Sequence, residues 1–134
     1  MTADLPDKFD LYRQAVQFPQ GDVNFMINTY ATYRPGSWPT MLREDFSGTA
    51  AVAATWVQRE HDHHALAIDI DKPTLLRAPK MDRLTCLCAD VLAVDGPPAD
   101  VIAALNFSTF IYHTDQAMLA YLTHAHRCLK EDGL

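Results

Sequence analysis

Residues 42–50 run Leu-Arg-Glu-Asp-Phe-Ser-Gly-Thr-Ala: a short strand-like stretch ending in acids, a turn of small residues, and the start of an Ala-rich helix. A strand–turn–helix of this kind offers backbone N–H groups and a carboxylate at one point to a nucleotide-like ligand. Three later strand-like runs also end on polar residues, at Asp69, Asp90 and Asn106. Polar endings at the C-terminal ends of successive strands gather along one rim of a βα layer, and that constrains the chain more than any other feature.

The rest of the pattern supports such a layer. Strands are expected over 40–44, 65–69, 84–90 and 100–106, the last a continuous apolar run of the kind buried on both faces. Between them lie a helix over 48–59 carrying Val52, Trp56 and Val57, a Pro-containing stretch over 72–80 with room for one short turn, and a loop over 93–99. Thr114 is placed to cap a last helix over 115–130, with the stripe Met118, Leu122, Ala125 and Leu129 facing inward and Gly133 as its C-cap. Ahead of the strands, Pro6-Asp7 opens a helix, Pro19-Gln20-Gly21 breaks it, and Asp22 caps a second helix whose stripe is Val23, Met26, Ile27 and Tyr30. The expectation is a single α/β domain over 1–134: a mostly parallel, three-layer sheet of about four strands over 40–134, preceded by a helical cap over 1–39.

With 134 residues and 49% hydrophobic content the chain can bury a sizeable core. A formal net charge of −6 and the lack of any basic run disfavour nucleic acid as a partner. No apolar window is long enough to span a bilayer, so no membrane partner is expected, and the start Met1-Thr2-Ala3-Asp4-Leu5 has neither the cations nor the apolar stretch of a secretory signal. Three cysteines do not make a disulfide framework, and Cys86 and Cys88, two apart on one strand face, read as buried small hydrophobes in a reducing cytoplasm. No Cys/His set has zinc spacing, so no metal is expected; His61-Asp62-His63-His64 reads as a solvated helix end.

Taken in order, LREDFSGTA, ALAIDID, LTCLCADVL and ADVIAALNFS, followed by a helix and LKEDGL, the chain resembles a class I S-adenosylmethionine (SAM)-dependent methyltransferase over residues 40–134. That resemblance implies a Rossmann-like fold, SAM as cofactor, and methyl transfer to a small-molecule acceptor. Glu44 stands at the acid that faces the methionine ammonium, and Phe46, Gly48 and Thr49 stand at the glycine-rich turn that meets the cofactor. Asp69 stands at the acid that holds the ribose hydroxyls, Ile70 beside the adenine, and Asp90 with Val91 at the adenine edge. Asn106, Phe107 and Ser108 stand beside the transferable methyl. The turn departs from the family pattern at Phe46 and Ala50, which replace its first and last glycines. The family's sheet has seven strands, and residues 130–134 look like the entry to the fifth. The fourth strand is then an apolar edge, which a homodimer would cover.

The residue chemistry suits such a ligand. One carboxylate accepts from two vicinal hydroxyls, as Asp69 would, an ammonium asks for an anion such as Glu44 or Asp45, and a carboxylate asks for the N–H groups of a helix start. Arg43 adds a candidate cation, and Tyr112 and His113 are candidate bases should the acceptor be a hydroxyl. Plainer readings stand beside these: Glu44 and Asp45 as caps of the helix, Asp71 as an N-cap before Pro73, Tyr12 and Phe18 as core packing rather than a lid. Two other functions stand beside this one: a SAM-binding module without turnover, or a fragment active only in an assembly, and a Rossmann dehydrogenase domain. The second requires a glycine where Phe46 stands, and Glu44-Asp45 would repel a pyrophosphate.

Overall fold

The computed structural model describes residues 6–134; the reading of Met1–Leu5 lies outside the described residues. Helices α1 (Lys8–Val16) and α2 (Pro19–Tyr33) precede β1 (Met41–Asp45). There follow α3 (Ala51–Arg59), β2 (His64–Asp69), α4 (Lys72–Leu75), β3 (Leu84–Cys88), β4 (Val101–Ala104) and α5 (Asp115–Arg127). The sheet has the order β3-β2-β1-β4 and every pairing in it is parallel. All four strands therefore end on the same rim.

Side chains alternate across β1, and that alternation sorts its residues between two cores. Leu42 packs with Val23, Ile27 and Tyr30 of α2 and with Val52, Trp56 and Val57 of α3 on one face. On the other face Leu66 and Ile68 of β2 meet Val91 and Tyr121, with Phe46, Tyr112 and Ala125 packed around them. The result is the expected three layers. The single turn of α4 fills the short link between β2 and β3, and Asp71 sits at its N-cap, where its carboxylate accepts from the Thr74 hydroxyl.

Several elements differ from the sequence expectation. Helix α2 begins at Pro19 rather than after it, because Pro at the first helical position loses no hydrogen bond; Asp22 is inside its first turn and is not the cap. Helix α5 is capped by Thr114, which accepts from the Ala117 N–H at 3.1 Å, but it is turned from the expected stripe. Tyr121, His124 and Cys128 face inward and Leu122 is exposed, because the tyrosine hydroxyl and the imidazole find buried partners that no leucine would. The helix stops at Cys128, short of Gly133. Gly133 instead lets the tail pass close: a Cβ there would lie 2.9 Å from the Ala99 carbonyl oxygen. The tail then runs along β4, where the Leu134 N–H donates to the Asp100 carbonyl and its carbonyl accepts from Ile102, both at 2.9 Å. The edge of β4 is thus paired over its first residues.

His63 is buried, not solvated. Its ring stacks on Trp56 with centroids 4.5 Å apart, its Nδ1 faces the Trp56 carbonyl, and its Nε2 accepts from the Trp38 indole. Cys88 is exposed and Cys86 half-buried, since β3 is an edge strand with one face open. Asp100 anchors the opposite end of the sheet: one carboxylate oxygen accepts from the N–H groups of Thr40 and Met41 and from Lys130. Burial would raise its pKa, but these donors hold it below the usual carboxylate value.

Candidate functional site at the C-terminal rim

The turn after β1 is tied to the end of β2 by its own backbone. The Ser47 N–H donates to the Ile68 carbonyl at 2.9 Å, and the Gly48 N–H donates to an Asp69 carboxylate oxygen at 2.7 Å. The other Asp69 oxygen accepts from the Asp71 N–H at 2.8 Å. Each oxygen keeps a second lone pair, so this carboxylate is fixed in direction and still able to accept from a ligand. Ile70, next to it, is exposed, an apolar side chain at a polar rim.

Glu44 shares a face with Leu42 and so points toward α3, where one oxygen accepts from the Ala53 N–H at 2.9 Å. It is 4% exposed, and no Lys, Arg or His pairs with it among the described residues. Burial pushes its pKa up to about 8; the Ala53 N–H opposes the shift, and the nearby charges of Asp22 and Asp69 add to it. A buried carboxylate held by one N–H and facing other acids lacks a cation.

Space opens at the left-handed turn that follows β1. Gly48 has φ +56° and a Cβ there would meet only a Thr74 methyl, at 3.9 Å. Ser47 Oγ is buried with no hydrogen-bond partner among the described residues. A cavity of about 360 Å³ opens against the turn, lined by Gly48, Thr49 and Thr74 on one side and by Phe9, Tyr12 and Gln17 on the other. An ammonium-bearing ligand with hydrogen-bonding groups fits these features: a buried carboxyl group with no cation among the described residues, an orphaned hydroxyl and a Cβ-free cradle. Gln17 and Thr74 were not expected at the site. Contacts to a helix and a loop distant in sequence leave no periodic trace.

Phe46 and Ala50 adopt the conformation of the glycines they replace, with φ of 57° at both. The Phe46 ring packs on Tyr121 and edge-on to Tyr112, with centroids 5.6 and 6.2 Å away, in the opposite core. It therefore serves as packing rather than as a ligand contact. Introducing a Cβ at Gly48 by Gly48→Ala is expected to cost about 1 kcal/mol through its positive φ. The same methyl would stand in the cradle, so ligand affinity should fall by more than stability does; thermal melts with and without ligand compare the two.

Four expectations about site residues are corrected. Arg43 is fully buried: its guanidinium donates to Asp45 at 2.7 Å and to the carbonyls of Val91, Val94 and Asp95. It faces α5 because it alternates with Leu42 and Glu44, and so it is not a ligand cation. Asp45 on the same face takes Arg43 and the Tyr121 hydroxyl, at 2.9 Å, leaving Glu44 as the acid for an ammonium. The Val91 side chain is buried with Leu66 and Ile68 and does not flank an adenine. Tyr112 stacks on Tyr121 with centroids 5.3 Å apart; burial, then Asp90 and Asp45, push its phenol pKa up, which unfits it as a base near neutrality. Asp90 ends at the rim, its carboxylate accepting from the Leu92 N–H, and Asn106 and His113 are exposed beyond β4. Among the described residues, one group of metal-type ligands comes together: Asp95, His124 and Cys128. Both His124 nitrogens are occupied, by the Val94 carbonyl and by Arg127.

The fold has structural counterparts. The sugar N-methyltransferase KedS8 from Streptoalloteichus matches 99% of the chain over 53% of its own length, with a TM-score of 0.78 and 20% identity. DesVI from Streptomyces venezuelae matches 99% of the chain over 56% of its own length, with a TM-score of 0.79 and 15% identity. The fold is that of the SAM-dependent methyltransferases. SAM-bound CalS10, an amino pentose methyltransferase from Micromonospora echinaspora, shares this methyltransferase fold over 97% of the chain and 55% of its own, with a TM-score of 0.76 and 17% identity. The chain thus spans about half the length of these structures. No family model matches it, and no curated protein does.

Proposed function

We propose that the chain binds SAM at the rim and transfers its methyl group to a small-molecule acceptor. The observation that carries this reading is Glu44: a buried carboxyl group that pairs with no cation among the described residues, on the strand that leads into an open, hydrogen-bonding turn. SAM supplies an electrophilic methyl on a sulfonium. In this reading Glu44 holds the ammonium, and the Gly48–Thr49 N–H groups and Ser47 Oγ hold the carboxylate. Asp69 accepts from the ribose hydroxyls, and Ile70 and Asp90 meet the adenine. Asn106, Phe107 and Ser108 lie on the acceptor side. There His113, exposed, is the base that would take the proton of a hydroxyl acceptor; an amine acceptor would lose its proton to water. Orientation and exclusion of water then account for most of the rate.

The domain reading, a helical cap over 1–39 that contains α1 and α2 and a SAM-binding core over 40–134, belongs to the same proposal. So do a reducing, cytoplasmic setting for the three free thiols and a homodimer covering what remains open of the β4 edge. Sedimentation equilibrium tests the dimer. The methyltransferase reading is tested by thermal shift against SAM and NAD together with radiolabelled methyl transfer to a panel of amino sugars and phenols. Stabilisation by SAM alone with label transfer supports it. Stabilisation without transfer to any acceptor would favour a binding module, and stabilisation by NAD alone would overturn both.

A further inference from the structure

Helix α1 forms one wall of the cavity at the Gly48 turn, yet none of its residues is buried. Leu11, Tyr12 and Val16 are each close to half exposed. A helix of nine residues with no buried face is not held by packing, and such a length is marginal alone in water. At its head it meets Arg77, just beyond α4. The Arg77 guanidinium pairs with Asp7 at the head of α1 and lies over the Phe9 ring, 4.4 Å from its centroid. Asp7 also caps the helix, accepting from the Phe9 N–H at 3.2 Å. Arg77 and Phe9 meet again in the wall of a second cavity of about 490 Å³, between α1 and α3, so the region under the helix is open rather than packed.

We propose that Arg77 is a positioning residue: it latches α1 over the Gly48 turn so that Phe9, Tyr12 and Gln17 enclose the bound ligand. A planar guanidinium suits this place because it pairs with the carboxylate at its edge and stacks on the ring with its face. The enclosure of a ligand rests on the cofactor reading; the latch itself does not.

The test uses the full chain with Arg77→Ala, Arg77→Lys and Asp7→Asn. The last keeps a good N-cap residue while removing the ion pair. Hydrogen exchange of the α1 amides in the ligand-free protein should quicken about fivefold in Arg77→Ala, with α3 unchanged, as expected for the loss of one exposed ion pair and one cation–π contact. Arg77→Lys and Asp7→Asn should fall between it and the unaltered chain. Dissociation of S-adenosylhomocysteine should quicken by a similar factor while affinity of the unaltered chain stays measurable. Unchanged α1 exchange in Arg77→Ala would overturn the latch. Faster exchange with unchanged dissociation would overturn the enclosing role. An unaltered chain that does not bind S-adenosylhomocysteine would instead fail the cofactor reading and leave the exchange result to decide the latch.

Discussion

Arg43→Met is expected to destabilise the chain by about 3–5 kcal/mol, the loss associated with breaking a buried, hydrogen-bonded ion pair from one side. The side chain is fully buried, and its guanidinium serves Asp45 and three carbonyls at once. Without it Asp45 keeps only the Tyr121 hydroxyl, and the loop carrying Val91, Val94 and Asp95 loses its tie to the sheet. Since a domain of this size has about 5–15 kcal/mol of total stability, the variant should be largely unfolded at mild denaturant concentrations. The double variant Arg43→Met/Asp45→Leu should recover part of the loss, because no charge is then left buried alone. Urea melts of the two single variants and the double variant give the coupling energy; a loss below about 1 kcal/mol for Arg43→Met would mean that this network does not hold the second core.

The other large effect is on the ligand. Glu44, raised from 4.5 to about 8 by burial, carries a proton at neutral pH in the ligand-free protein. The native state therefore binds more protons than the unfolded one between pH 4.5 and 8, so ligand-free stability should fall as pH rises through that window. The slope approaches about 1.4 kcal/mol per unit. A ligand ammonium reverses the balance, because the anionic form gains an ion pair and the buried proton is released. SAM affinity should therefore rise up to about tenfold per pH unit between roughly pH 5.5 and 7, with about one proton released per ligand. Glu44→Gln should flatten both dependences and weaken binding by about 2–4 kcal/mol, since a neutral amide offers the ammonium much less than a desolvated carboxylate. Calorimetry in buffers of different ionisation enthalpy counts the protons. Binding that is independent of pH in the unaltered chain would remove Glu44 from the ammonium site.

The sheet was legible because its strands are written as short apolar runs closed by polar residues. ALAID and DVIAALN have no helical period, and their crossovers leave room only for parallel pairing. Asp69 was legible for the same reason: an acid closing a buried strand has little structural use in sequence terms, and the structure puts it on the Gly48 N–H. The roles of Arg43, Glu44 and Asp45 were less clear, since three adjacent charges look alike until the period of two is applied from Leu42. That rule alone sends Glu44 to α3 and its neighbours to α5. The inward face of α5 was missed because Tyr121 and His124 are polar by composition and buried by partnership. His63 was missed similarly, its burial depending on two tryptophans from separate segments. The wall that α1 contributes depends on Arg77 meeting Asp7 and Phe9 across some seventy residues, which no local pattern records.

The central claim is that the rim of Glu44, Gly48 and Asp69 grips an adenosyl ligand, and calorimetric titration of S-adenosylhomocysteine into the unaltered chain and into Asp69→Ala tests it most directly. Saturable one-to-one binding to the first is expected, with an affinity lower by about 1–3 kcal/mol in the second, the worth of hydrogen bonds to a charged group. No heat at hundreds of micromolar ligand from a chain that circular dichroism shows to be folded, or equal affinity in the two, would contradict it.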